Sequence, residues 1–134
     1  MSHLNQAWFQ LVQDVAAVEA ELAKALQTRH GLGLSEFRAL QALAVAKNSE
    51  LRMQDLASHL KLNQSSVSRM VERLERTKLT VRDVCADDKR GVYTVLTDAG
   101  RTVLAQSEVT YRTTLEAQLA ERSGAFTGLL QPLP

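Results

Sequence analysis

Between Gln64 and Arg76 the chain reads QSSVSRMVERLER. Its polar residues fall into two groups. Gln64, Ser65, Ser66 and Ser68 are hydrogen-bonding side chains without charge; Arg69, Arg73 and Arg76 follow at steps of four and three. On a helix most of these residues share one face with Glu72. Small side chains let a helix backbone approach a base edge closely, and an Arg can donate two parallel hydrogen bonds to guanine O6 and N7. That is the chemistry of a helix lying in a DNA major groove. The solvated face of an ordinary helical hairpin is the plainer account of the same residues, and the pattern alone does not separate the two.

The elements around this run decide more. Leu56, Ala57 and Leu60, then Leu62, Val67, Met70, Val71 and Leu74, fall at steps of three and four on either side of Lys61-Leu62-Asn63. Asn63 is a good N-cap for the second segment. The spacing predicts a helix of about eight residues, a three-residue turn and a longer helix, which is a helix-turn-helix. Small Ala57 suits the close approach of the two helices. Leu79–Cys85 and Val92–Leu96 have the β-branched content of strands. Between them lies Ala86-Asp87-Asp88-Lys89-Arg90-Gly91, a charged tip closed by Gly. A helix-turn-helix followed by a hairpin makes a winged helix.

With these residues in place the sequence resembles the MarR family of regulators. The resemblance rests on Asn63–Glu75, on the Asp88-Lys89-Arg90 tip, and on Val95-Leu96-Thr97-Asp98-Ala99-Gly100 behind the hairpin. It covers nearly the whole chain, more loosely at both ends. It implies a homodimer joined by terminal helices, with one recognition helix per subunit in a major groove. It also implies that Arg90 reaches the neighbouring minor groove, with Lys89 beside it and Asp88 either orienting Arg90 or bracing the wing. Two residues depart from the pattern. Lys78 stands where the family often has Gly, and Lys61 stands in a turn that often contains Gly. Both positions are expected to hold a strained backbone.

The net charge of +1 argues weakly against a nucleic-acid partner, but its distribution argues for one. Residues 1–60 carry five Lys/Arg against six Asp/Glu, residues 61–101 nine against six, and residues 102–134 two against three. The positive excess sits in the winged-helix segment, and its small size predicts few phosphate contacts per chain. No apolar run approaches the roughly 20 residues of a membrane span, and no basic-then-apolar leader is present. A single cysteine excludes an internal disulfide. These features point to the cytoplasm.

Residues 3–29 read as one long helix. Leu4, Trp8, Leu11, Val15, Val18, Leu22 and Ala25 form a heptad seam, widened by Val12 and Leu26. A helix of roughly 40 Å is too long for this chain to cover alone, so part of the seam is expected to meet a second copy. Gly31 ends it, with Arg29 and His30 favourably placed in its last turn. Ser35 is expected to cap the next helix, which buries Phe37, Leu40 and Leu43 or Ala44. Leu51 can add a short strand to the wing sheet. Thr97 is expected to cap a last helix running to about Arg122, which carries Val103, Leu104, Tyr111, Leu115 and Leu119 at helical spacing. Ser123-Gly124 breaks it, and Ala125–Leu130 could form one more turn. The expected fold is mainly α with a small β-hairpin wing. A single domain is expected, with residues 1–33 and 98–134 as a helical dimerisation layer and residues 34–97 as the DNA-binding lobe.

Signals for other chemistry are weak. No phosphate loop, nucleophile elbow or His-Glu-x-x-His occurs, so an enzyme is not expected and no cofactor is implied. His3, His30, His59 and Cys85 have no metal-ligand spacing. Asp87 and Asp88 read as a charged tip rather than a catalytic pair. Cys85 reads as a small hydrophobe, a redox switch being the alternative. Trp8 has two readings: plain core, or the wall of a ligand pocket with Phe37, Arg38 and Tyr111. Aromatic stacking plus one Arg would suit an aromatic anion, the ligand class that the family resemblance also implies.

The expected function is therefore a homodimeric DNA-binding transcription regulator. It would act as a repressor on an inverted-repeat operator and be released by a small aromatic effector. The rivals are a winged-helix protein-interaction module without DNA binding, and a redox-responsive regulator using Cys85.

Overall fold

The computed structural model describes residues 2–84 and 92–122. Five helices and three strands follow in the order α1 (His3–His30), α2 (Leu34–Val45), β1 (Glu50–Arg52), α3 (Met53–Leu60), α4 (Gln64–Arg76), β2 (Thr80–Val84), β3 (Val92–Leu96) and α5 (Asp98–Glu121). The expected class is what folds: a mainly helical chain with a small antiparallel sheet in a winged helix-turn-helix. The chain divides into two compact units, residues 1–31 with 109–134 and residues 32–108. The division falls inside α5.

In the first unit, the Oγ of Ser2 accepts from the Asn5 N–H at 3.1 Å and caps α1. Gly31 ends α1 in the left-handed region, at φ 63°, with its N–H turned back to the carbonyls of Gln27 and Leu26. A side chain here would be strained, which is why Gly suits the position. Arg29 and His30 occupy the last turn, and His30 Nε2 lies 2.7 Å from Thr110 Oγ1 on α5. Arg122 holds Gln118 Oε1 at 2.8 Å and approaches Asp14 at 3.9 Å. The heptad seam is split. Val18, Leu22 and Leu26 are buried, whereas Leu4 is 81% and Trp8 62% exposed, with Phe9, Val12, Val15 and Val109 also exposed. A Trp in the packed core is therefore not what this single chain shows.

In the second unit, Phe37, Leu40, Leu43, Leu56, Val67, Val71 and Leu74 are the fully buried centre. Ser35 does not cap α2. The cap is Gly33, one position before Leu34, whose carbonyl accepts the first helical bond from Phe37 at 2.9 Å. The absence of a Cβ at Gly33 leaves room for Glu36, whose Oε1 lies 3.0 Å from where that atom would be. The three strands lie in the order β1-β3-β2, all antiparallel, with Leu51 opposite Thr94 and Arg82 opposite Thr94 from the other side. Leu51 thus does extend the wing sheet. Thr94 and Leu96 point to the helices and are buried; Tyr93 and Val95 face outward.

Both helices of the helix-turn-helix end in the same way. The Leu62 N–H reaches back to Ala57 O at 3.1 Å and the Leu79 N–H to Leu74 O at 3.0 Å. This is the Schellman closure, which needs a left-handed residue just before the donor. Lys61 (φ 58°) and Lys78 (φ 65°) supply it. These are the two positions at which Gly was missing from the family pattern, and the backbone there is strained as expected. Thr97 then ties the ends together. Its hydroxyl, set against the Lys78 carbonyl at 2.8 Å and the Leu79 carbonyl at 2.9 Å, accepts from Gly100 N at 3.0 Å to cap α5. A Cβ on Gly100 would lie 2.2 Å from Leu79 O, so only Gly lets α5 pass this close. The Leu-Thr-x-x-Gly signature is a welded corner.

Candidate nucleic-acid interface

Helix α4 is positioned from its apolar side. Val67, Met70, Val71 and Leu74 are buried at steps of three, one and three, which fixes the opposite face outward. Asn63 caps it as the sequence implied, its Oδ1 accepting from Ser66 N at 2.8 Å. Ser65, Arg69 and Arg76 are exposed near the centre of the outer face, with Glu72 among them. Gln64 is also exposed, Ser66 and Ser68 are half-buried, and Arg73 stands exposed at one margin. A recess of about 390 Å³ opens beside the start of the helix, lined by Met53, Gln64, Ser65, Val67 and Ser68. The end of α4 that can enter a groove thus offers hydrogen-bonding groups first and arginines one turn later. Arg73 and Arg76, in the last turn, also complement the negative end of the helix dipole.

Two ion pairs flank α4, and the sequence did not reveal either. On one side Arg73 Nε donates to Glu36 Oε1 of α2 at 3.4 Å. On the other Arg82 Nε, on β2, donates to Glu75 Oε1 at 3.1 Å. The first pair spans 37 residues and has no local signal. The second spans seven residues, but the strained Schellman turn must form before Arg82 is brought back beside Glu75. Among the described residues, Arg69 and Arg76 have no acidic partner. Arg52 lies over the Tyr93 ring, 5.3 Å from its centroid, and its Nε donates to the Tyr93 hydroxyl at 3.1 Å. That contact ties β1 to β3 on the outer face of the sheet.

Asp88, Lys89 and Arg90, with Cys85 and Asp87, lie outside the described residues, as does the predicted turn at Ala125–Leu130. The four residues considered for a ligand pocket are distributed between the two units. Trp8 is exposed and Tyr111 half-buried in the first; Phe37 is fully buried in the core of the second. Arg38, the neighbour of Phe37 and turned about 100° from it around α2, lines an open cavity of about 470 Å³ with Gln41, Ala42, Val45, His59 and Leu60. That cavity holds Arg38 and none of the three aromatic residues. Among the described residues no helix is long and apolar enough to cross a membrane, and no group of three or more His, Cys, Asp or Glu is placed to hold a metal ion.

Comparison with known proteins agrees with this geometry. The model of the MarR family matches residues 30–91, which contain the whole helix-turn-helix and the start of the wing. The chain is 35% identical over 75 residues to YkoM of Bacillus subtilis (strain 168), an uncharacterized HTH-type transcriptional regulator. That match takes in 56% of this chain and 47% of YkoM, so the chain spans about half the length of this curated relative. Among solved structures, Sco3205 of Streptomyces coelicolor, a MarR family transcriptional regulator in complex with DNA, superposes with a TM-score of 0.82 at 26% identity, over 94% of this chain and 82% of Sco3205. AbsC, a MarR family transcriptional regulator from the same organism, superposes with a TM-score of 0.71 at 28% identity, over 98% of this chain and 84% of AbsC. The recognition-helix run, the Thr97–Gly100 corner and these likenesses converge on one family: over its helix-turn-helix and the start of its wing the chain is similar to the MarR family of transcriptional regulators.

Proposed function

We propose that the protein is a homodimeric, sequence-specific DNA-binding transcription regulator that acts as a repressor in the cytoplasm. The observation that carries this reading is the outer face of α4. It presents Ser65 and Arg69 from a rigid, capped helix, in a fold shared with a relative in complex with DNA. Ser65, Ser68 and Gln64 would contact base edges and sugars, Arg69 would read a guanine, and Arg73 and Arg76 would meet the flanking backbone. Arg90 at the wing tip, with Lys89 and Asp88, would work at the adjoining minor groove, where narrow A·T-rich segments attract Arg.

The exposed half of the α1 seam supports dimerisation, since Leu4, Trp8, Phe9, Val12 and Val15 are left uncovered in one chain. Two recognition helices related by a two-fold axis would read an inverted repeat with half-sites roughly 10 bp apart. An aromatic carboxylate held by Arg38 would release DNA by favouring a different helix spacing. Selection of bound duplexes from a random library tests the reading: an enriched inverted repeat supports it, and no enrichment refutes it.

A further inference from the structure

Arg82 stands on β2, opposite Thr94, on the side of the sheet that faces the helices. Its guanidinium reaches α4 and, among the described residues, is held through Nε by Glu75 at 3.1 Å. Among the described residues its two terminal nitrogens have no partner, and the side chain is 48% exposed. Arg73 is held in the same manner on the other margin of α4, through Nε to Glu36, with half of its side chain exposed. A carboxylate on Nε fixes the plane of a guanidinium and leaves the fork of terminal N–H groups pointing away from it. That fork matches the oxygens of a phosphate. Exposed ion pairs of this kind contribute little to stability, about 0–1 kcal/mol. Two pairs of the same form beside one helix are better explained by where they aim the arginines.

We propose that Arg82 is a DNA-backbone contact, gripping a phosphate between α4 and the wing, and that Glu75 is its positioning residue. Glu36 and Arg73 repeat the device on the opposite margin. The inference rests on the reading of α4 as a DNA-recognition helix. It adds a grip at the base of the wing, distinct from the wing tip. Phosphodiester oxygens are the group recognised, so the contact adds affinity without choosing bases.

The test is DNA binding by the full chain carrying Arg82→Gln, Arg82→Lys or Glu75→Gln. Each is titrated at several salt concentrations on a selected site and on a random-sequence duplex, with thermal melting of each variant. Arg82→Gln is expected to weaken binding to both duplexes alike, by about tenfold, and to reduce the salt slope by about one unit per chain. Arg82→Lys is expected to keep the slope and lose part of the affinity, because the charge remains without the oriented fork. Glu75→Gln is the decisive variant. Removing a negative charge near DNA strengthens binding if Glu75 only sits nearby, whereas loss of an orienting carboxylate weakens it. We expect weakening, with an unchanged melting temperature. Unchanged affinity in Arg82→Gln, or stronger binding in Glu75→Gln, overturns the proposal while leaving wild-type DNA binding intact. A wild-type protein that binds neither duplex overturns the reading of α4 and this proposal together.

Discussion

The hydroxyl of Thr97 and the carbonyl of Lys78 meet at 2.8 Å, across 19 residues of sequence, and join the start of α5 to the end of the recognition helix. The same hydroxyl accepts from Gly100 N. Thr97→Val keeps the shape and removes the hydrogen bonds. It is expected to cost ~1–2 kcal/mol, the value of a lost helix cap, while the Leu79 carbonyl keeps its bond from the backbone N–H of residue 97. Gly100→Ala is expected to cost more, roughly 2–3 kcal/mol, because its Cβ meets a backbone oxygen that cannot rotate away. Denaturant midpoints of the two variants check the order.

Lys61 and Lys78 hold left-handed conformations that Gly adopts without penalty. The left-handed backbone costs a side-chain-bearing residue roughly 1–2 kcal/mol, and Gly returns about 0.5–1 kcal/mol of that through the entropy of the unfolded chain. Lys78→Gly is thus expected to stabilise the protein by roughly 0.5–1 kcal/mol, while Lys78→Ala, which loses the same charge but keeps a Cβ, is expected to change little. Equal effects of the two on the melting temperature would show that charge and not backbone strain governs the site.

Much of this architecture was legible in the sequence, for physical reasons. The helical steps from Leu56 to Leu74 and the Asn63 cap are local signals, and both helices end where they were expected to end. The strained lysines were legible only through the family resemblance. Ser35 misled because it is a good capping residue. Gly33, two positions earlier, is the residue with extended backbone that caps α2 instead. The pairs Arg73–Glu36 and Arg82–Glu75 were illegible, since each depends on chain segments that meet only after the turn at Lys78 and the packing of α2 are in place. The seam of α1 was legible as a pattern but not where it is covered. Periodicity does not say that Val18, Leu22 and Leu26 are buried while Leu4 and Trp8 stay exposed.

That division of the seam makes a prediction about assembly. Trp8 is 62% exposed in one chain, so Trp8→Glu leaves the protomer's own packing almost untouched. If the exposed seam is the dimer interface, burying the new carboxylate is costly and the dimer dissociates. Sedimentation at micromolar concentration is expected to show a wild-type dimer and a folded Trp8→Glu monomer. A variant that remains a tight dimer would place the interface elsewhere.

The effector proposal predicts a linked pair of effects. An aromatic carboxylate that binds the folded chain raises its melting temperature and, if it favours the non-binding spacing, weakens DNA binding. Arg38→Gln is expected to abolish both effects without altering DNA binding in the absence of the compound. A panel of aromatic carboxylates that changes neither property at millimolar concentration contradicts the proposal.

The central claim is that α4 reads sequence through its outer face, and Arg69 is the residue on which it turns. Arg69 is exposed, one turn into the helix, and without an acidic partner among the described residues. The direct measurement is selection of bound duplexes from a random library, run in parallel on the wild-type protein, Arg69→Ala and Arg90→Ala. The account predicts an inverted repeat for the wild type. It predicts that Arg69→Ala loses ~1–3 kcal/mol on that site and relaxes the preference at one base pair in each half-site. Arg90→Ala is predicted to weaken binding while the major-groove positions stay as they were. A selected sequence that Arg69→Ala leaves unchanged, while Arg90→Ala scrambles its major-groove positions, would contradict the account.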